Sequence, residues 1–231
     1  MNEVRDGKAE IRGEDAHHLT RVLRVEPGQR YEISDNGHAY LAEIEAARKD
    51  LVTFTVLDRL PPQASVAGVT LLASLVRFER FEDLLEKATE LGVERIIPVR
   101  AERSEKGLEA AALKRMTRWR RIVREASEQS RRTWLPVLEE PIALADVDPG
   151  TARPILLDED PAAPPLLRAL HDAPQEAAIL VGPEGGWTDR ERAFLRASKW
   201  EAVSLGPLIL KAETAAIAAL AILQAAWQAE A

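Results

Sequence analysis

Two glycine-bearing turns hold the residues best suited to chemistry: LVGPEGGW at 180–187 and SLGPLILKAETA at 204–215. Each follows an apolar run and feeds a helical pattern, and in open α/β sheets ligands sit outside the carboxyl ends of strands. Glycines there let backbone N–H and C=O groups come close to a ligand. Neither turn matches G-x-x-x-x-G-K-[ST] or G-x-G-x-x-G, so a nucleotide-phosphate enzyme is disfavoured. Leu205, Leu208, Ile209 and Leu210 suit a flat base such as adenine better than a phosphate. Glu184 and Glu213 favour a nearby cation. An adenine-bearing cation of this kind is S-adenosylmethionine, which the residues suggest without requiring. The plain alternative is a pair of tight connections whose glutamates accept backbone N–H bonds.

The elements that position these turns read as α/β. VTLLASLV (69–76), VERIIPV (93–99), PILLD (154–158), AAILVG (177–182) and AVSLG (202–206) are apolar runs of buried parallel strands. A helix presents Phe81, Leu84, Leu85, Ala88 and Leu91 on one face and stops at Gly92. A second covers about 109–130 with Leu113, Met116, Trp119, Ile122, Val123 and Ala126 inward, and an alanine-rich one covers 214–228. Thr188 and Glu191 form a capping-box pair ahead of another. Before these, RYEIS, AYLAEI and LVTFTVL read as β-strands, with a hairpin turn at Asp35-Asn36-Gly37 between the first two. A small barrel-like β-domain over 1–62 and an α/β domain over 66–231 are expected, joined by the RLPPQAS linker at 59–65.

Composition narrows the class. The chain has 231 residues, no cysteine and a net charge of −7. Disulfides, cysteine-based zinc sites and a thiol nucleophile are excluded. No apolar run approaches a membrane span, and the N-terminus lacks a secretory pattern, so a soluble cytoplasmic protein without a metal is expected. Between Lys114 and Arg132, eight basic residues face only Glu125 and Glu128. Such a stripe can bind a polyanion, or be a solvated helix face.

EKATELGVERIIPV, ERSE, REASEQSRR, LVGPEGGW and ILKAETA occur in an order and spacing that closely resemble the bacterial RsmE family, the 16S rRNA uridine N3-methyltransferases. HHLTRVLRVEPGQRYEISDNGHAYLAEI is similar to that family's small PUA-like β-barrel. The resemblance covers essentially the whole chain. It implies a SPOUT-type C-terminal domain with a parallel sheet and trefoil knot, S-adenosylmethionine as methyl donor, a homodimer, and 16S rRNA or the 30S subunit as partner.

Carried over residue by residue, Gly182, Pro183, Glu184, Gly185 and Gly186 form one wall of the cofactor site. Leu205, Gly206, Leu210, Ala212, Thr214 and Ala215 form the other, with Leu157 an apolar contact. Thr214 could also cap the last helix. Glu213 is the first candidate for a base or base-orienting residue and Glu184 the second. Lys211 joins them in the catalytic set, standing where the family carries Arg in ILRTETA. Lys keeps the charge and loses Arg's planar fork. Arg77-Phe78 replaces a frequent Lys-Gly pair, and Leu208 a frequent Arg. His18, Arg21, Arg24, Arg103, Arg121, Arg124 and Arg132 are the RNA-contact candidates, although each could instead belong to a surface ion pair of small worth. A non-catalytic ribosome-assembly factor and a ribose 2′-O-methyltransferase are the competing functions.

Overall fold

The computed structural model describes residues 4–61, 68–160, 162–170 and 176–229. The expected linker at 59–65 runs into residues outside those described. The chain divides into two units, 1–64 with 131–135, and 65–130 with 136–231.

In the first unit, strands of alternating burial form an antiparallel sheet. β1 (Lys8–Arg12), β2 (Arg30–Ser34), β3 (Ala39–Arg48) and β4 (Leu51–Arg59) take the order β1-β4-β3-β2. Ala9, Ile33, Ala42, Ile44, Val52 and Phe54 bury one face of that sheet together with Ala16 of helix α1 (Gly13–Arg21). The β2–β3 turn has Asn36 at a left-handed φ of 71°. The Asp35 carboxylate accepts from the His38 N–H (2.8 Å) and the Tyr40 hydroxyl (2.9 Å), as asparagine–aspartate turns do. Residues 131–135 dock on this turn: the Ser34 hydroxyl donates to the Thr133 carbonyl, and the Leu135 N–H to Asn36 Oδ1 (2.6 Å). The expected boundaries place that short segment with the other domain.

The second unit is a parallel sheet covered on both faces. Its strands are β5 (Gly68–Ser74), β6 (Arg95–Arg100), β7 (Val137–Leu138), β8 (Ile142–Ala143), β9 (Arg153–Leu157), β10 (Glu176–Val181) and β11 (Glu201–Val203). The order is β11-β9-β10-β5-β6-β7, with β8 also on β6. Adjacent residues Leu71 and Leu72 are both fully buried because each faces a different covered side. On one side, Val69, Leu71 and Ala73 meet α2 (Phe78–Glu90), α3 (Leu108–Gln129), the single turn α4 (Leu166–Ala169) and α6 (Ala212–Ala229). Phe81 and Trp119 centre this layer, their rings 4.7 Å apart. On the other, Leu72, Leu156 and Leu180 meet Trp187, Trp200 and Leu195 of α5 (Asp189–Ala197).

This is the expected class, a parallel α/β domain preceded by a small β-domain. Two details differ. Leu113, expected inward, is 48% exposed. The buried line of α3 runs through Ala112, Met116, Trp119, Val123 and Ala126, and Leu113 sits one residue, about 100°, off it. Helix α6 starts at Ala212, so Thr214 lies inside its first turn; the Ala215 N–H bonds the Lys211 carbonyl (2.8 Å).

Candidate active site

The first turn leaves β10 at Gly182 and is closed by Trp187. The Trp187 indole is 2% exposed and donates to the Leu157 carbonyl at the end of β9 (3.0 Å). A Cβ on Gly182 would stand 3.0 Å from that ring. Between them the Gly186 N–H bonds the Pro183 carbonyl (2.9 Å), with Gly186 at φ +67°. Arg103 reaches in from the segment after β6: Nη1 donates to the Gly185 carbonyl (2.6 Å), and its stem lies where a Gly185 Cβ would point. The capping box at Thr188 and Glu191 is present. Buried Glu191 also accepts from the Glu102 N–H (2.7 Å), so α5 and the ERSE segment are joined. Gly182→Ala is expected to cost about 1–3 kcal/mol, because the buried ring cannot yield freely. Gly186→Ala is expected to cost about 1–2 kcal/mol from the left-handed backbone alone. Urea denaturation midpoints check both.

The second turn leaves β11 at Ser204. The Gly206 N–H donates to Ser204 Oγ (3.1 Å). Asp158, Pro164 and Leu166 clip this strand end: the Asp158 N–H donates to the Val203 carbonyl (2.9 Å), Ser204 N–H to the Pro164 carbonyl (2.8 Å) and Leu166 N–H to the Ser204 carbonyl (2.9 Å). Leu208 and Ile209 are 78% and 83% exposed.

The two turns enclose a cavity of about 300 Å³. Gly182, Pro183, Glu184 and Gly186 line it from one side, and Leu205, Gly206, Leu210, Lys211, Ala212 and Ala215 from the other, with Leu157 between. Gly185 and Thr214 are not among the lining residues, and neither is Glu213, which lies just beyond in the first turn of α6. Trp187, the last residue of the LVGPEGGW turn, also lines it, as do Arg80, Asp158 and Glu159, to which sequence reasoning assigned no role in this site. Only the quoted strand PILLD pointed toward Asp158.

Charge is concentrated at two places on this wall. Arg80, in the first turn of α2, pairs with the Glu184 carboxylate through Nη1 and holds Nε 3.8 Å from Glu213 Oε1. Glu213 Oε2 is buried and has no hydrogen-bond partner among the described residues. The Asp158 side chain, 1% exposed, accepts from Arg192 Nε (3.0 Å) and Nη2 (2.9 Å). Burial alone would raise the Asp158 carboxyl; the Arg192 guanidinium and nearby backbone N–H groups outweigh it and hold the group below its ordinary range. The cradle fits S-adenosylmethionine: Leu157, Leu205, Leu210, Ala212 and Ala215 give apolar walls for a base, and Asp158, Glu159 and Glu184 put carboxylates on the lining for a cation.

The RNA candidates fall in both units. His18 and Arg21 are exposed in the last turn of α1, and Arg24 follows at φ 50°. The Arg132 guanidinium lies 5.3 Å over the Trp134 ring. Along α3, Arg121 pairs with Glu125 (2.8 Å) and Arg124 with Glu128 (3.5 Å). Arg115 and Arg118 both pair with Glu82 of α2, so part of the basic stripe ties two helices together.

The family model of an RNA methyltransferase domain matches residues 63–224, and that of an RNA methyltransferase PUA domain matches 11–57. Fold and matches together define the class, an RNA methyltransferase with a PUA domain ahead of its methyltransferase domain. The chain is 34% identical over 220 residues to ribosomal RNA small subunit methyltransferase E of Synechocystis sp., covering 90% of this chain and 70% of the relative. The Aquifex aeolicus protein of the same name is 31% identical over 206 residues, 88% of each. The chain belongs to the ribosomal RNA small subunit methyltransferase E family. Among solved structures, that enzyme from Neisseria gonorrhoeae bound to S-adenosyl methionine superposes with a TM-score of 0.85 at 31% identity, covering 97% of this chain and 95% of the other. A putative methyltransferase from Legionella pneumophila, in complex with the same cofactor, gives 0.84 at 30% identity and the same coverage.

Proposed function

We propose that this chain is an S-adenosylmethionine-dependent methyltransferase of 16S rRNA and that it modifies N3 of a uridine. The observation carrying the reading is the cavity between the two glycine-bearing turns, with the unpartnered Glu213 Oε2 beside it. When bound, the cofactor supplies an electrophilic methyl on a sulfonium. Leu157, Leu205, Leu210, Ala212 and Ala215 give the adenine an apolar enclosure, while Gly182 and Gly186 let the first turn fold close against Trp187 and Glu159. N3–H of uridine is a weak acid, so a base must take or share its proton near the transition state. Glu213 Oε2 is our acceptor for that proton. Glu184 shapes the first wall, and Lys211 offers a cation to the incoming nucleotide. N3 lies on the Watson–Crick edge, so the uridine must be unpaired when it enters.

Residues 1–62 serve in this reading as a PUA-like RNA-binding domain and 66–231 as the SPOUT methyltransferase domain. The trefoil knot would involve 158–166 and 203–211, segments that already hydrogen-bond one another. A cytoplasmic homodimer acting on 16S rRNA or the 30S subunit completes it. Helix α6 supports the dimer, since Glu213 is its only charge and small residues, Ala221 and Ala225, sit with the uncharged Thr214 and Gln228 at its outward positions. A helix with so little charge on its outward face is suited to being covered there.

Transfer of labelled methyl to 16S rRNA, followed by nucleoside digestion, tests the function. N3-methyluridine is expected; a 2′-O-methylated nucleoside would change the reaction, and binding without transfer would leave an assembly factor. For the RNA face, Arg121→Ala with Arg124→Ala is expected to weaken rRNA binding and flatten its salt dependence by about one slope unit per lost phosphate contact. Unchanged affinity and slope in a salt titration would remove the stripe from the interface.

A further inference from the structure

Two carboxylates at the edge of the cavity share one cation. Arg80 pairs with Glu184 on the first turn and approaches Glu213 Oε1 at the start of α6 to 3.8 Å. Its side chain is 36% exposed, against 15% for Glu213, so the group sits partly withdrawn from solvent. The other deeply placed acid, Asp158, has its own partner in Arg192. Glu159 and Lys211 also line the cavity and bring opposite charges, so Arg80, which neutralises one of two charges in the Glu184–Glu213 pair, leaves a net charge of one negative unit. Without Arg80 the same place would carry two, and without Glu184 it would carry none.

We propose that Arg80 is a specificity-determining residue that sets how strongly the cavity prefers a sulfonium cofactor over its neutral thioether product. The inference rests on the methyltransferase reading above. S-adenosylmethionine and S-adenosylhomocysteine present the same adenine, ribose and amino-acid groups, so contacts to those parts cancel in the ratio of affinities. What remains is the methyl and the positive charge at sulfur, and the charge responds to the sum of fixed charges on the cavity wall. Arg80, held against both acids, is a resident competitor for that position. The arrangement also serves the rate. Positive charge at sulfur is lost as the methyl leaves, so a doubly anionic wall would stabilise the reactant more than the transition state and raise the barrier. By cancelling one of the two charges, Arg80 limits ground-state capture of the cation.

Calorimetric titration of the full chain with each compound tests the proposal. Arg80→Gln is expected to raise the ratio of the S-adenosylhomocysteine Kd to the S-adenosylmethionine Kd on the order of three- to tenfold over wild type. Arg80→Lys is expected to restore the ratio. Glu184→Gln, at an exposed side chain, is expected to lower it, and tests the same charge rule should Arg80→Gln fail to fold. If both dissociation constants change together in Arg80→Gln, or the ratio stays fixed in Glu184→Gln, the proposal is overturned. If the wild-type chain binds neither compound, the methyltransferase reading falls, and this inference with it.

Discussion

Glu213→Gln is expected to slow methyl transfer to uridine by about 100-fold or more, the range typical of losing a positioned general base. Glutamine keeps the shape of the side chain and can still place an oxygen near Arg80, so the first turn of α6 and the cavity wall should survive. S-adenosylmethionine should therefore still bind, weakened by no more than the roughly three- to tenfold that losing one charge beside the cavity brings. The deficit should also shrink at alkaline pH, where N3 loses its proton to solvent unaided. Single-turnover transfer rates across pH, beside calorimetric binding, separate this role from a structural one. A rate near wild type at neutral pH would take the base assignment away from Glu213. Glu184→Gln should slow transfer far less, since that carboxylate is already engaged by Arg80 in the free protein.

The second large effect concerns stability. Arg192→Ala strands Asp158, whose side chain is 1% exposed, without its ion partner. Breaking a buried pair on one side costs about 3–5 kcal/mol, and about 3 is expected because Arg192 is itself one-fifth exposed. For a domain of this size that is roughly 6–12 °C in Tm. The pH dependence has a definite sign. In the wild type the folded Asp158 carboxyl lies below its unfolded value, so its contribution is present above about pH 4 and is lost as pH falls through the folded value. In Arg192→Ala the burial that raises the folded value is opposed only by the backbone N–H groups of Asp160 and Glu159, so the carboxyl moves up and its contribution above about pH 4 shrinks. The two proteins should converge in acid and separate toward neutrality. A Tm difference independent of pH would show that Arg192 acts through packing rather than through the Asp158 charge.

What could be read from sequence follows the range of the interactions concerned. The buried strands were legible because a parallel strand covered on both faces is an unbroken apolar run, as Leu71 and Leu72 show. The start of α5 was legible because Thr188 and Glu191 lie within one helical turn. The glycine turns were visible as composition, although the reason Gly182 is needed, the flank of the Trp187 ring, is a tertiary fact. Arg80 gave no signal, since its partners Glu184 and Glu213 lie more than a hundred residues downstream. Arg192 escaped for the same reason, meeting Asp158 across 34 residues. Strands β7 and β8, two residues each, carry no periodicity, and strand order in a parallel sheet depends on how helices pack across it.

The clip between residues 158–166 and the end of β11 bears on synthesis as well as on shape. Apart from Arg80, every residue lining the cavity lies between Leu157 and Ala215. The wall at 204–215 is fixed only once β11 has paired with β9 and Ser204 has bonded Pro164 and Leu166. A ribosome-bound chain that has reached α5 would thus own a nearly finished sheet and no place for a nucleoside. Only a chain completed through the start of α6 can then gain stability from a bound ligand by mass action.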